Sequence, residues 1–133
     1  MILQVRHAMK GNPYTVSHET TVTEAAQMMI TAGIDTIIVT KNGEILGSVT
    51  VNDILRYTYT PGFNPKKTSI ESITDEEIML VRPTTALSDV RTILTESNVY
   101  TLPVVDKELV GYITLRDLLT VQPEQKAQTQ EIS

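Results

Sequence analysis

The chain has 133 residues, a formal net charge of −5 and no cysteine. That length suits one compact domain or two small units sharing a core, because a unit of roughly 60 residues is marginal alone. The absence of Cys removes disulfides, thiolate nucleophiles and cysteine zinc sites, and the acidic balance argues against binding a nucleic-acid backbone. No apolar run approaches the roughly 18 residues of a membrane span, and the first residues lack a signal-peptide core, so a cytoplasmic location is the expectation.

In chain order, a short apolar strand is expected near Tyr14–Val16. A helix follows, with Val22, Ala25, Ala26, Met29 and Ile30 at three-to-four spacing. Thr21 and Glu24 spell a capping box at its start, and Gly33 suits a left-handed residue just past its end. Strands are expected over Thr36–Thr40 and Ile45–Val49, joined at Asn42-Gly43, a type I′ hairpin signal. A second helix begins at Thr50, and the Pro- and Gly-bearing stretch 61–68 reads as a linker. The order then returns: a strand at Met79–Val81, a helix from Leu87 with Asn98 in the place of Gly33, strands Leu102–Val105 and Leu109–Ile113, and a helix from Thr114. From Gln122-Pro123 onward the chain is polar and aperiodic and reads as a disordered tail. The expected organisation is a first repeat with its N-terminal lead-in over 1–60, the linker, a second repeat over 69–121 and a tail over 122–133.

The repetition is explicit. Gly47-Ser48-Val49-Thr50-Val51-Asn52-Asp53-Ile54-Leu55 recurs as Gly111-Tyr112-Ile113-Thr114-Leu115-Arg116-Asp117-Leu118-Leu119, at an offset of 64. Upstream, Val22-Thr23-Glu24-Ala25 aligns with Leu87-Ser88-Asp89-Val90 at an offset of 65, so the second repeat lacks one residue at its hairpin turn, Asp106-Lys107-Glu108. Each copy reads β-α-β-β-α.

These segments, with Leu102-Pro103-Val104-Val105-Asp106 and Leu109-Val110-Gly111, resemble a pair of CBS (cystathionine β-synthase) domains, also called a Bateman module. The resemblance covers about residues 8–121. It implies an α+β fold in which tandem repeats pack through their sheets as a pseudo-twofold pair, with two clefts between them, often as a homodimer. It also implies an adenosine-containing effector (AMP, ADP, ATP or S-adenosylmethionine) and a regulated partner protein, with no catalytic cofactor.

The residue types suit that role. Asp53 and Asp117 sit in the first turn of a helix, where an ionised carboxylate accepts both protons of a ribose diol. The N–H groups of the same turn, beside Thr50 or Thr114, favour an anionic group. The same Thr-x-x-Asp spacing is also a capping box, and the two roles are compatible. By resemblance, Thr50 and Asp53 would face Ile78, Met79, Val99, Tyr100 and Thr101. Thr114 and Asp117 would face Pro13, Tyr14, Ile34, Asp35 and Thr36. Tyr14 and Tyr100 would flank a base, although a tyrosine at a strand edge is more often core or rim. Two departures stand out: Ile38 replaces the proline of the second repeat, and Asp35 would repel a phosphate that Arg116 would offset.

His7 and His18 lack ligand-spaced neighbours, so no metal site is expected, and Asp75-Glu76-Glu77 reads as a solvated turn. No nucleophile elbow, triad or P-loop is present, so the expectation is a regulatory module rather than an enzyme. A structural dimerisation module with vestigial clefts is the alternative. Loss of binding in Asp53→Ala or Asp117→Ala would separate the two.

Overall fold

A computed structural model describes residues 2–97 and 99–121, so the expectations for Asn98 and for the tail over 122–133 lie outside the described residues. The chain divides into two compact units, one formed by residues 12–79 and the other by residues 1–11 together with those from 80 onward. Each is an α+β unit built from one copy of the repeat.

In the first unit, β1 (Thr15–Ser17), α1 (Val22–Ala32), β2 (Thr36–Lys41), β3 (Glu44–Thr50) and α2 (Val51–Thr58) follow one another. The sheet order is β1-β2-β3, with β1 parallel to β2 and β3 antiparallel to it. The middle strand is apolar without alternation because Ile37, Ile38 and Val39 are all buried. The expected capping box forms at α1: Thr21 Oγ1 accepts from the Glu24 N–H, and Glu24 Oε1 accepts from the Thr21 N–H. Gly33 ends the helix at φ 69°, and Asn42 and Gly43 take positive φ values of 54° and 81° in the hairpin turn. Val16, Val22, Ala25, Met29, Ile37, Val39 and Val49 fill the core.

The second unit repeats the plan with α3 (Leu87–Ser97), β4 (Thr101–Asp106), β5 (Glu108–Thr114) and α4 (Leu115–Thr120). Its β4–β5 hairpin is antiparallel and turns at Lys107, φ 69°. One expected element is reduced. The strand over Met79–Val81 is a single bridge, Val81 to Val104, where the first unit has a three-residue strand. The reason is Pro103: its counterpart Ile38 donates its N–H to the Tyr14 carbonyl at 3.2 Å, and proline has no N–H to give.

Two 3-10 turns, Val5–His7 and Ile70–Ile73, were not expected from the pattern. They occupy equivalent places, offset by 65, as lead-ins to the two repeats. Each packs on the hairpin of the opposite repeat. Val5 donates to the Thr85 carbonyl (2.8 Å) and Leu87 to that of Leu3 (2.9 Å), while Ile70 donates to Thr20 and Val22 to Thr68. Val5 and Ile70, both fully buried, plug the respective cores. The sequence repeat and the packing unit therefore differ: the expected boundaries follow the former, and the two lead-ins are exchanged in the latter.

Candidate functional site

The repeated Gly-x-x-Thr-x-x-Asp segment builds one corner in each unit. Its glycine comes first in the geometry. Lys10 and Tyr112 exchange two backbone hydrogen bonds of 2.9 Å, and Asp75 and Ser48 exchange two of 2.9 and 3.0 Å. A Cβ on Gly111 would collide with the Lys10 carbonyl, and one on Gly47 with the Asp75 carbonyl. Glycine is thus what lets the lead-in backbone lie against the hairpin.

Three residues further, the strand becomes a helix. At α2 the Thr50 N–H donates to Asp53 Oδ2 (2.9 Å) and the Asp53 N–H donates to Thr50 Oγ1 (3.1 Å). At α4 the matching distances are 2.8 and 3.2 Å, and the Thr114 hydroxyl also donates to Asp117 Oδ2 (2.9 Å). Both Thr-x-x-Asp motifs are therefore capping boxes, which fixes the carboxylates in place. The start of the preceding hairpin strand is lashed to the same point: Val51 donates to the Asp35 carbonyl and Leu115 to that of Tyr100, each at 3.0 Å. Thr36 pairs with Thr50, and Thr101 with Thr114.

The second oxygen of each acid faces a cation. Asp53 Oδ1 accepts from Arg56 Nη1 at 3.2 Å, a pair on one helix whose arginine side chain is 70% exposed. Asp117 Oδ1 lies 3.4 Å from Lys10 Nζ, and here the carboxylate side chain is only 7% exposed against 53% for the lysine. Asp117 is the buried charged residue among the described residues, a placement that requires such partners. Neither Lys10 nor Arg56 was singled out in the sequence. Arg56 is legible as an i+3 neighbour, whereas Lys10 lies 107 positions from Asp117 (117 − 10) and only extending the repeat to the lead-ins would have exposed it.

The remaining expected residues are distributed as follows. In the first unit Tyr14, Asp35 and Met79 are exposed, while Pro13, Ile34, Thr36 and Ile78 are half-buried. The Thr36 hydroxyl donates to Asp35 Oδ1 at 3.2 Å. In the second unit Tyr100 and Arg116 are exposed, and Val99 and Thr101 are half-buried. Each unit thus brings its own strand start beside its own Thr/Asp corner. Among the described residues no group of three or more His, Asp or Glu is placed to hold a metal ion, and no helix is long and apolar enough to cross a membrane.

Comparisons with known proteins bear on the fold and the repeat. A CBS domain-containing protein, YhcV, of Bacillus subtilis is 29% identical over 119 residues, which is 89% of this chain and 84% of that protein. The Meiotically up-regulated gene 70 protein of Schizosaccharomyces pombe is 27% identical over 127 residues; the match takes in 90% of this chain but spans only 17% of that protein. Among solved structures, the CBS domain pair of protein MJ0100, crystallised with 5′-methylthioadenosine and S-adenosyl-L-methionine, superposes with a TM-score of 0.80. At 22% identity, covering 94% of this chain and 99% of that one, it shows a shared fold. The CBS domain family matches twice, over residues 5–59 and 70–124, beginning at the two lead-ins, and the chain belongs to that family as a tandem pair.

Proposed function

We propose that this chain is a regulatory module that binds an adenosine-containing ligand at its Thr/Asp corners and passes its ligand state to a partner protein. The observation that carries the reading is the duplicated corner itself. In both, the cap holds one carboxylate oxygen while the other faces the flexible, half- or well-exposed side chain of Lys10 or Arg56. A ribose diol would take that second oxygen, with Thr50 or Thr114 beside it. Within the first unit the exposed ring of Tyr14, with the apolar Pro13, Ile34, Ile78 and Met79, would offer surface to a base. Within the second unit Tyr100 with Val99 would do so, Thr36 and Thr101 lying at the respective strand starts. The ligands crystallised with MJ0100 support an adenosine compound as the class. AMP, ADP, ATP and S-adenosylmethionine are the compounds to test.

Regulation then follows from linkage. A ligand that prefers one conformation shifts its population, and a partner that prefers the same conformation is coupled reciprocally. The test is a thermal melt with each compound. A ligand near 100 times its dissociation constant adds about 2.7 kcal/mol of stability. Asp53→Ala or Asp117→Ala should abolish at least part of that gain. Unchanged melting with every adenosine compound refutes the reading.

A structural dimerisation module is the second reading, and one observation favours it. Val51, Leu55 and Tyr59 form a stripe at i, i+4 and i+8 on and just past α2, 41%, 55% and 89% exposed. Under that reading the chain is a homodimer by sedimentation with no response to adenosine compounds, and Leu55→Lys makes it a monomer.

A further inference from the structure

The two corners are built on one plan but differ in charge at equivalent positions. Lys10 and Asp75 correspond through the repeat, and each is held by the same pair of backbone hydrogen bonds to its hairpin, at Tyr112 and Ser48. Tyr100 and Asp35 correspond likewise, each accepting from the first helical N–H. Arg116 stands where the first repeat has Asn52. In the first unit the positions equivalent to Lys10, Tyr100 and Arg116 thus carry Asp75, Asp35 and Asn52, with Asp75 Oδ1 accepting from the Glu77 N–H (2.9 Å), and the cation on Asp53 is Arg56. In the second unit the cation on Asp117 is Lys10, at 3.4 Å, and the exposed Arg116 precedes the acid in the chain. A phosphate meets repulsion at the first and attraction at the second.

We infer that Lys10 is a specificity-determining residue, which makes the Asp117 corner the one that accepts a phosphate-bearing adenosine ligand while Asp75, in the equivalent place, makes the Asp53 corner reject it. This rests on the proposed adenosine binding and adds which corner takes which charge. The lysine suits the task physically. Its backbone is fixed against Tyr112, its ammonium is kept near the corner by the buried Asp117, and half of its side chain remains open to a second anion. Because it comes from the lead-in, 107 residues from Asp117 (117 − 10), phosphate binding would also tighten that segment on the second unit.

Calorimetric titration of the full chain with AMP and with adenosine tests this, since the two differ by the phosphate alone. Wild type should bind AMP more tightly than adenosine, with a preference that shrinks as salt rises. Lys10→Met should reduce the preference for AMP over adenosine about tenfold, the scale of one partly screened charge pair, whatever it does to the ribose contact that both compounds share. Lys10→Arg, which keeps the charge and protects Asp117 from being left unpaired, should retain the preference. Asp75→Lys should raise the AMP stoichiometry by one. Equal weakening of both compounds in Lys10→Met, or tighter binding of both, overturns the inference, the latter by making Lys10 a plug. Wild-type binding of adenosine without preference for AMP overturns the inference alone, whereas binding of neither compound overturns the proposed function as well.

Discussion

Gly111→Ala is the substitution whose cost the structure defines best. The new methyl group would run into the Lys10 carbonyl and the Met9 side chain, and a backbone carbonyl cannot swing aside as a side-chain tip does. Two responses are open. If the lead-in stays, the overpacked contact costs about 1–3 kcal/mol. If it lifts, the chain loses the two Lys10–Tyr112 backbone hydrogen bonds, about 0.5–1.5 kcal/mol each, and exposes Val5, about 1.5–3 kcal/mol. The molecule takes the cheaper route, so a loss of about 1–3 kcal/mol is expected. Gly11→Ala is the control, because nothing lies within 4 Å of a Cβ there and its φ is not positive. It should be neutral or stabilising by up to about 1 kcal/mol. Urea denaturation followed by circular dichroism measures both. A Gly111→Ala protein within 0.5 kcal/mol of wild type would show, by the resolution of such measurements, that the lead-in does not press on this hairpin.

Exchange of the lead-ins makes its own prediction: Val5→Ala, in the first repeat by sequence, should speed amide exchange in β4 and β5 and spare β2 and β3, at a cost of about 1–3 kcal/mol; the opposite pattern refutes the exchange. Glu71, on the second lead-in, is held below the usual glutamate range by hydrogen bonds from Lys41 (2.8 Å) and His18 (3.0 Å), and Lys41 is in turn raised by Glu71. A depressed acid stabilises above its unfolded value, about 4.3, and loses that contribution as pH falls through the folded value. The raised lysine contributes below its unfolded value, about 10.4, and is lost as pH rises past its folded one. The stability difference between wild type and Glu71→Gln should therefore shrink in acid, as pH falls through the folded Glu71 value, and again in alkali, as pH rises past the folded Lys41 value. A difference that grows in acid contradicts the assignment.

Much of this protein was legible in its sequence because it is local. The capping boxes at Thr21, Thr50 and Thr114 are written within four residues, and the Asn42-Gly43 turn within two, so backbone sterics and one side chain decide them wherever the segment lies. The internal repeat likewise announced two copies of one unit. Tertiary structure decided what neighbours what. Nothing in Val5 or Ile70 says which hairpin it will plug, because either is an apolar residue before a polar turn. Only the pairing of Lys10 with Tyr112 and of Asp75 with Ser48 brought a lysine to one buried carboxylate and an aspartate to the other corner. The motif residues come from adjacent positions and so repeat faithfully. Their charged neighbours come from segments distant in the chain, whose contacts depend on how the whole backbone closes, and there the two copies diverge.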